Sequence, residues 1–229
     1  MEEQKSTNKI IWRTAGITFF VIVMLILLCF NIIGLAAPRV IADSANRLGM
    51  GGVAVSFSKA QYERSGKIDD LADLCERSLK FKKYAVADEY CKELIAFDRD
   101  GESLATVAAR REISVDGTRY DYTAYIVGNS AYARYKVGEK EDALAFAKER
   151  TSEYTASSPL AYLADAFVED KGRSAEYGLI SELEAREESV ADVEERKLLC
   201  LDLYRVYSAL GEEERALEYR NKLEGLLGA

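Results

Sequence analysis

Hydrophobic and polar positions follow three different regimes along the chain. From Thr14 to Pro38 the run T-A-G-I-T-F-F-V-I-V-M-L-I-L-L-C-F-N-I-I-G-L-A-A-P contains no charged residue, enough for about 37 Å of helix against a hydrocarbon core of about 30 Å. A transmembrane anchor over 14–38 is the expectation, after an N-terminal tail at 1–13. Trp12 and Arg13 stand at its entrance and Arg39 at its exit, as interfacial aromatics and flanking cations should. The apolar run exceeds the roughly 7–15 residues of a signal peptide, so an uncleaved anchor is favoured, although Gly34-Leu35-Ala36 is a passable cleavage site. Leu27-Leu28-Cys29 lacks the small residue that lipoprotein processing requires.

Residues 39–66 are polar and rich in glycine. Gly49, Gly51 and Gly52 interrupt any continuous stiff helix, so the segment reads as a hinged connector with a short helix over 53–64 closed by Gly66. Beyond it the period becomes helical. D-D-L-A-D-L-C-E-R-S-L-K puts Leu71, Leu74, Cys75 and Leu79 on one face, and K-Y-A-V-A-D-E-Y-C-K-E-L-I does the same for Tyr84, Ala87, Tyr90, Cys91 and Leu94. The two helices meet across a turn at 81–83. Further pairs are predicted at 121–137 with 139–154, 159–170 with 173–187, and 190–209 with 212–226. Ser158-Pro159 marks one helix start, a serine cap followed by proline where its missing N–H costs nothing.

One device occurs twice. Y-K-V-G-E-K-E-D-A-L-A-F-A-K (135–148) and Y-S-A-L-G-E-E-E-R-A-L-E-Y-R (207–220) each place an alanine five residues after a glycine, Gly138 to Ala143 and Gly211 to Ala216. The glycine tolerates a left-handed backbone where the first helix ends. The alanine lets the second helix axis approach closely. Ala87 holds the same place in the first pair, after Lys82, and Gly178 is assigned it in the third. Tyr135, Gly138, Ala143 and Ala147 in one unit, and Tyr207, Gly211, Ala216 and Leu223 in another, resemble the tetratricopeptide repeat family, whose helix-turn-helix units stack with a concave binding face. The resemblance covers residues 67–227. It implies an α-solenoid of antiparallel helix pairs there, so that with the span the expected fold is all-α, an N-terminal transmembrane helix followed by a tetratricopeptide-like solenoid.

The first and second units are separated by a longer stretch than the others. Asp116-Gly117 between alternating residues signals a small β-hairpin over 110–121, with an irregular insert or an extra helix at 101–112 as alternatives. Asp98-Arg99-Asp100-Gly101 hints at a calcium loop, but the third acidic ligand and the distal glutamate are missing, and a solvated turn is the better reading.

Composition narrows the chemistry. The 229 residues include 48% hydrophobic and 31% charged residues with only two prolines, as a folded helical chain requires. The net charge is −8, and −10 for residues 40–229 alone, which opposes nucleic acid and close binding to anionic lipid. Lys5, Lys9 and Arg13 before the span, against Arg39 and Arg47 after it, favour a cytoplasmic amino end and an extracytoplasmic domain. The chain holds no histidine, which removes the usual general base and most zinc sites. No phosphate loop is present, no cofactor or metal is expected, and an enzyme is not. Cys75, Cys91 and Cys200 read as buried thiols, although an oxidising compartment could join Cys75 to Cys91 across their helix pair.

Tyrosines supply the candidate site. Tyr125, Gly128, Tyr132, Tyr135 and Lys136 share one helical face, and the tetratricopeptide resemblance turns that face into the groove. Tyrosines packed between repeats are the competing reading. Gly128 and Tyr132 occupy two places of the lysine and asparagine set that clamps terminal carboxylates in some chaperone-binding members. The expected function is a membrane-anchored scaffold binding a partner protein or peptide. The alternative is an anchored or secreted ligand sensor or enzyme with a carboxylate and tyrosine pocket near the 98–125 insert.

Overall fold

The computed structural model describes residues 12, 14–26, 28, 32, 36–115, 118–154, 158–172 and 177–228. They fall into two compact units, Met1–Ser65 and Gly66–Ala229.

In the first unit residues 14–26 are helical, with Phe19, Phe20 and Ile26 exposed. No helix among the described residues is long and apolar enough to cross a membrane. The transmembrane anchor expected over 14–38 is corrected accordingly. With it go the single-pass topology, the cytoplasmic amino end and the extracytoplasmic domain. Residues 1–11, 13, 27, 29–31 and 33–35 lie outside the described residues.

The stretch read as a connector is largely helical. Pro38 sits at the first position of α1 (Pro38–Arg47), and α2 (Gly51–Ser65) follows. Ile41, Ala42 and Ala45 on α1 and Ala54, Val55 and Tyr62 on α2 are buried, so an apolar stripe on each helix outweighs the polar composition that suggested a hinge. Gly49 alone takes a left-handed φ, +71°, at the turn, while Gly51 and Gly52 lie inside the first turn of α2.

The second unit opens with α3 (Ile68–Lys80) and α4 (Tyr84–Ile95). An insert follows. It holds a hairpin of β1 (Asp98–Arg99) and β2 (Glu102–Ser103), the short α5 (Leu104–Ala108), and a second hairpin of β3 (Ile113–Val115) and β4 (Thr118–Tyr120). Asp98 pairs with Ser103 and Arg99 with Glu102, across Asp100 and Gly101 at φ +55° and +76°. Asp-Gly tolerates that doubly left-handed turn, so the supposed calcium loop is a hairpin tip. In the second hairpin Ile113 pairs with Tyr120 and Ser114 with Arg119, and the Asp116-Gly117 turn lies outside the described residues.

Three more pairs complete the unit: α6 (Tyr122–Val137) with α7 (Lys140–Arg150), α8 (Pro159–Glu169) with α9 (Tyr177–Ser189), and α10 (Val193–Leu210) with α11 (Glu213–Leu227). Side-chain caps start three of these helices. Asp121 accepts from the Ala124 N–H at 2.8 Å, Ser158 from Leu160 at 3.3 Å, and Asp192 from Glu194 and Glu195 at 2.8 and 3.0 Å, each satisfying amides that the helix leaves unpaired.

All four pairs turn in the same way. Lys82, Gly138, Lys171 and Gly211 have φ of +55°, +100°, +54° and +79°. The next N–H reaches back five residues in each case, Lys83 to Ser78 at 2.8 Å, Glu139 to Arg134 at 3.2 Å, Gly172 to Phe167 at 3.2 Å and Glu212 to Tyr207 at 3.0 Å. This closure satisfies the last carbonyls of the first helix. Five residues past the left-handed position stand Ala87, Ala143 and Ala216, buried. In the third pair that position is residue 176, outside the described residues, rather than Gly178.

α6 packs on α4 and α8, and α8 on α10, while α7 and α9 each also pack on the first helix of the following pair. The core runs through Tyr135, Ala143, Leu163, Phe167, Leu183, Leu203 and Val206. Charged clasps tie the seams. Arg111 of the insert reaches Asp73 and Glu76 of α3, both at 2.8 Å, and Tyr122 donates to Glu76 at 2.8 Å. Arg134 meets Asp88 at 3.2 Å. Glu184 accepts from Tyr207 at 2.7 Å and Tyr219 at 3.1 Å and pairs with Arg215; burial opposes its charge, but these donors hold its pKa below the usual carboxylate value. Glu187, buried, takes Arg196 at 2.8 Å and Lys222 at 3.4 Å. Cys75 and Cys91 are buried free thiols, and burial together with their mutual hydrogen bond pushes the Cys75 pKa up.

Two predictions test this frame by urea unfolding. A Cβ on Gly138 would meet no atom within 4 Å, so Gly138→Ala is expected to cost only the left-handed backbone, about 1–2 kcal/mol. Lys82→Gly relieves the same strain and is expected to gain about 0.5 kcal/mol, part of the relief being lost to a freer unfolded chain. An unchanged midpoint for Gly138→Ala would refute the turn assignment. Secondly, Ala143 is fully buried where α7 closes on α6, so Ala143→Leu is expected to destabilise by about 1–3 kcal/mol. Ala145 is exposed on the same helix, and Ala145→Leu is expected to stay within about 0.5 kcal/mol.

Candidate functional site

The helical period divides the tyrosines of α6. Tyr125, Tyr132 and Lys136 return to nearly the same direction, within about 20°, whereas Tyr135 comes ten residues after Tyr125 and points about 80° away. The structure follows this geometry. Tyr125 and Tyr132 are half-buried and line an open cleft of about 400 Å³ between α6 and α8, which Asn129, Tyr162, Asp165, Val168, Glu169 and Arg205 complete. Tyr135 is 2% exposed and belongs to the core, with the Lys140 ammonium 4.8 Å from its ring centre. Its expected place on a binding floor is corrected.

Gly128 also plays a different part from the one expected of it. A Cβ there would lie 2.4 Å from Cε2 and 2.5 Å from Cδ2 of Tyr162. The space beside Gly128 on that face is filled by the protein's own ring. Glycine at this point of α6 lets Tyr162 lie against the helix backbone, and that ring becomes part of the cleft wall.

Tyr132 is held from two sides. Its ring meets Tyr84 of α4 edge-on, centroids 5.5 Å apart, and its hydroxyl donates to Glu169 Oε2 at 2.5 Å. Burial and then the Glu169 and Tyr84 hydrogen bonds push its pKa well up, so the phenol stays protonated. Lys136 Nζ lies 2.6 Å from Asp170 and 3.5 Å from Glu169, and 5.8 Å from the Tyr132 ring centre. Burial works against that charge, but the Asp170 hydrogen bond and the charges of Asp170 and Glu169 together outweigh it and raise the Lys136 pKa. Asn129 donates to the Tyr125 carbonyl at 2.9 Å.

The far wall comes from α8 and α10. Tyr162, Asp165 and Glu169 lie three and four residues apart, one face of α8. That spacing was readable in the sequence, although only the fold turns it toward α6. Arg205 of α10 bridges Asp165 at 2.8 Å and Asp202 at 3.4 Å. Asp202 is buried, and desolvation with the nearby Asp165 charge lifts its pKa to about 7 against the pull of Arg205. Arg205 and Asp202 form a local pair three residues apart on α10, but nothing local placed them at the cleft, because Asp165, which draws Arg205 there, lies on another helix. Among the described residues no cluster of three or more cysteine, aspartate or glutamate side chains is placed to hold a metal ion.

No family model, curated protein or solved structure compared with the chain matches it.

A pH dependence follows from Asp202. Its folded pKa, about 7, lies above its ordinary value of 3.8. The folded state therefore carries no penalty from this group below about pH 4, gains one as pH rises, and bears it in full above about pH 7. Asp202→Asn is expected to stabilise the protein at pH 8 by a few kcal/mol, on the order of 1.4 kcal/mol per pKa unit, and to change little at pH 4. Urea unfolding at pH 4.5, 6 and 8 measures it. The same gain at every pH would rule out a titrating Asp202 as its cause.

Proposed function

We propose that residues 67–227 are a tetratricopeptide-like interaction module that binds a segment of a partner protein or a peptide in the cleft between α6 and α8. The observation that carries this reading is the cleft itself. It is open to solvent, is walled by three tyrosines from two successive helix pairs, and is held in shape by contacts that do not fill it. Tyrosine offers a large contact area with little side-chain entropy to lose, and the packing of Tyr162 on Gly128 and of Tyr132 on Tyr84 restrains two of the rings before any partner arrives. The recurring left-handed turns support a repeat origin for the helix pairs.

Binding is favoured over catalysis by the fate of the polar groups. The chain has no histidine. The one strongly perturbed carboxyl beside the cleft, Asp202, is buried against Arg205, where its pKa has a structural cause. Glu102 of the insert and Asp69, Asp73 and Glu76 of α3 serve Arg110 and Arg111, so the rival sensor or enzyme near 98–125 would have to use carboxylates that are already paired.

The test is a selection of random dodecapeptides on the full chain. Selected peptides are expected to compete with one another and to lose at least fivefold in affinity on Tyr125→Ala, with the melting temperature moving far less than for a core truncation, which costs about 3 kcal/mol or more. Recovery of no peptide above background, or peptides indifferent to Tyr125→Ala and to Tyr162→Ala alike, would sink the proposal.

A further inference from the structure

The cleft's charges are unevenly committed. Its cations are already occupied: Arg205 is shared between Asp165 and Asp202, and Lys136 is held by Asp170 and Glu169 with its side chain only 14% exposed. The carboxylates are less engaged. Asp165 and Glu169 have side chains 51% and 48% exposed. Asp165 meets Arg205 through Oδ1, and Glu169 meets Tyr132 and Lys136 through Oε2. The second oxygen of each remains for a ligand. The two residues are four apart on one helix, so a single small cation can address both.

Aromatic rings add to the same preference. Tyr125, Tyr132 and Tyr162 line the cleft with these carboxylates, and the protein already sets a cation by one of them, Lys136 by Tyr132 at 5.8 Å. A tyrosine face attracts a cation that has lost part of its water. An anionic ligand would have to displace Asp165 from Arg205 and approach a chain of net charge −8, which steers acidic segments away.

We infer that the cleft between α6 and α8 receives a lysine or arginine side chain from the partner segment, seated between the Asp165 and Glu169 carboxylates and among the rings of Tyr125, Tyr132 and Tyr162. This rests on the cleft being the binding surface proposed above. Arg205 then acts as an internal competitor, because its guanidinium neutralises part of the Asp165 charge that the incoming cation uses.

The experiment takes one peptide selected on the full chain and synthesises it with lysine, arginine, glutamine or glutamate at a single position, scanning each position in turn. At one position the lysine and arginine forms are expected to bind at least fivefold more tightly than the glutamine form, and the glutamate form most weakly. That preference is expected to weaken in 0.5 M salt and to vanish in the Asp165→Asn, Glu169→Gln double variant, whose substitutions are on half-exposed side chains. Arg205→Gln is expected to tighten the lysine form, a gain that damage to the fold would not produce. Equal binding of charged and neutral forms at every position, a glutamate preference abolished by Arg205→Gln, or a lysine preference that survives in the double variant would each overturn the inference while peptides still bound the cleft. Binding of no peptide, whatever its charge, would overturn both the inference and the binding surface on which it rests.

Discussion

A helix that ends inside a folded protein must find donors for its last carbonyls, and in residues 66–229 one solution recurs. A left-handed residue at Lys82, Gly138, Lys171 or Gly211 reverses the chain, and the following N–H returns to a carbonyl five residues earlier. The second helix then lies against the first, and a small residue at the first close approach sets the spacing, as the complete burial of Ala87 and Ala143 records. The helix pairs follow from this local rule, and the cleft follows from the pairs. α6 and α8 are neighbours because α7 returns the chain over a short distance.

Between pairs, close approach excludes water from side chains that the sequence makes polar, and the charges there must find partners. Arg134 with Asp88, Arg111 with Asp73 and Glu76, and Glu184 with Tyr207, Tyr219 and Arg215 each join elements distant in sequence. Such clasps add little net stability when water is near, but an unmatched charge in the same place costs much more. Their effect is on specificity: a pair stacked in another register would leave these groups unmatched. At Asp202 matching is incomplete: burial and then the nearby Asp165 charge disfavour its ionised form, and Arg205, shared between the two carboxylates, does not offset them, so the pKa is raised.

The cleft inherits both features. Its rings are braced by neighbouring pairs, Tyr132 by Tyr84 and Tyr162 by the bare backbone at Gly128, so their conformational entropy is partly spent before binding. The carboxylates Asp165 and Glu169 of α8 are about half-exposed, while Arg205 and Lys136 are less exposed and each is already shared between two acids.

Local rules could be read directly from the sequence. Helical period placed the pairs within a few residues of α3 to α11, Ser158-Pro159 marked the start of α8, and the glycine with its alanine five residues later marked two of the four turns. The turns at Lys82 and Lys171 were harder to see, because a non-glycine residue adopts the left-handed backbone there at a cost that tertiary packing covers. Hydropathy suggested a span over 14–38, which no helix among the described residues provides, and glycine content suggested a hinge where α1 and α2 pack on each other. At the cleft, the sequence placed Tyr125, Tyr132 and Lys136 on one face because that needs only 100° per residue. The same period sets Tyr135 about 80° off that face, so grouping it with the others by composition was the error, whereas nothing local showed that Tyr162 would lie against the backbone at Gly128. Tyr162, Asp165 and Arg205 enter only when three helices from three pairs are set side by side, and that placement depends on distances across the fold that no local pattern contains.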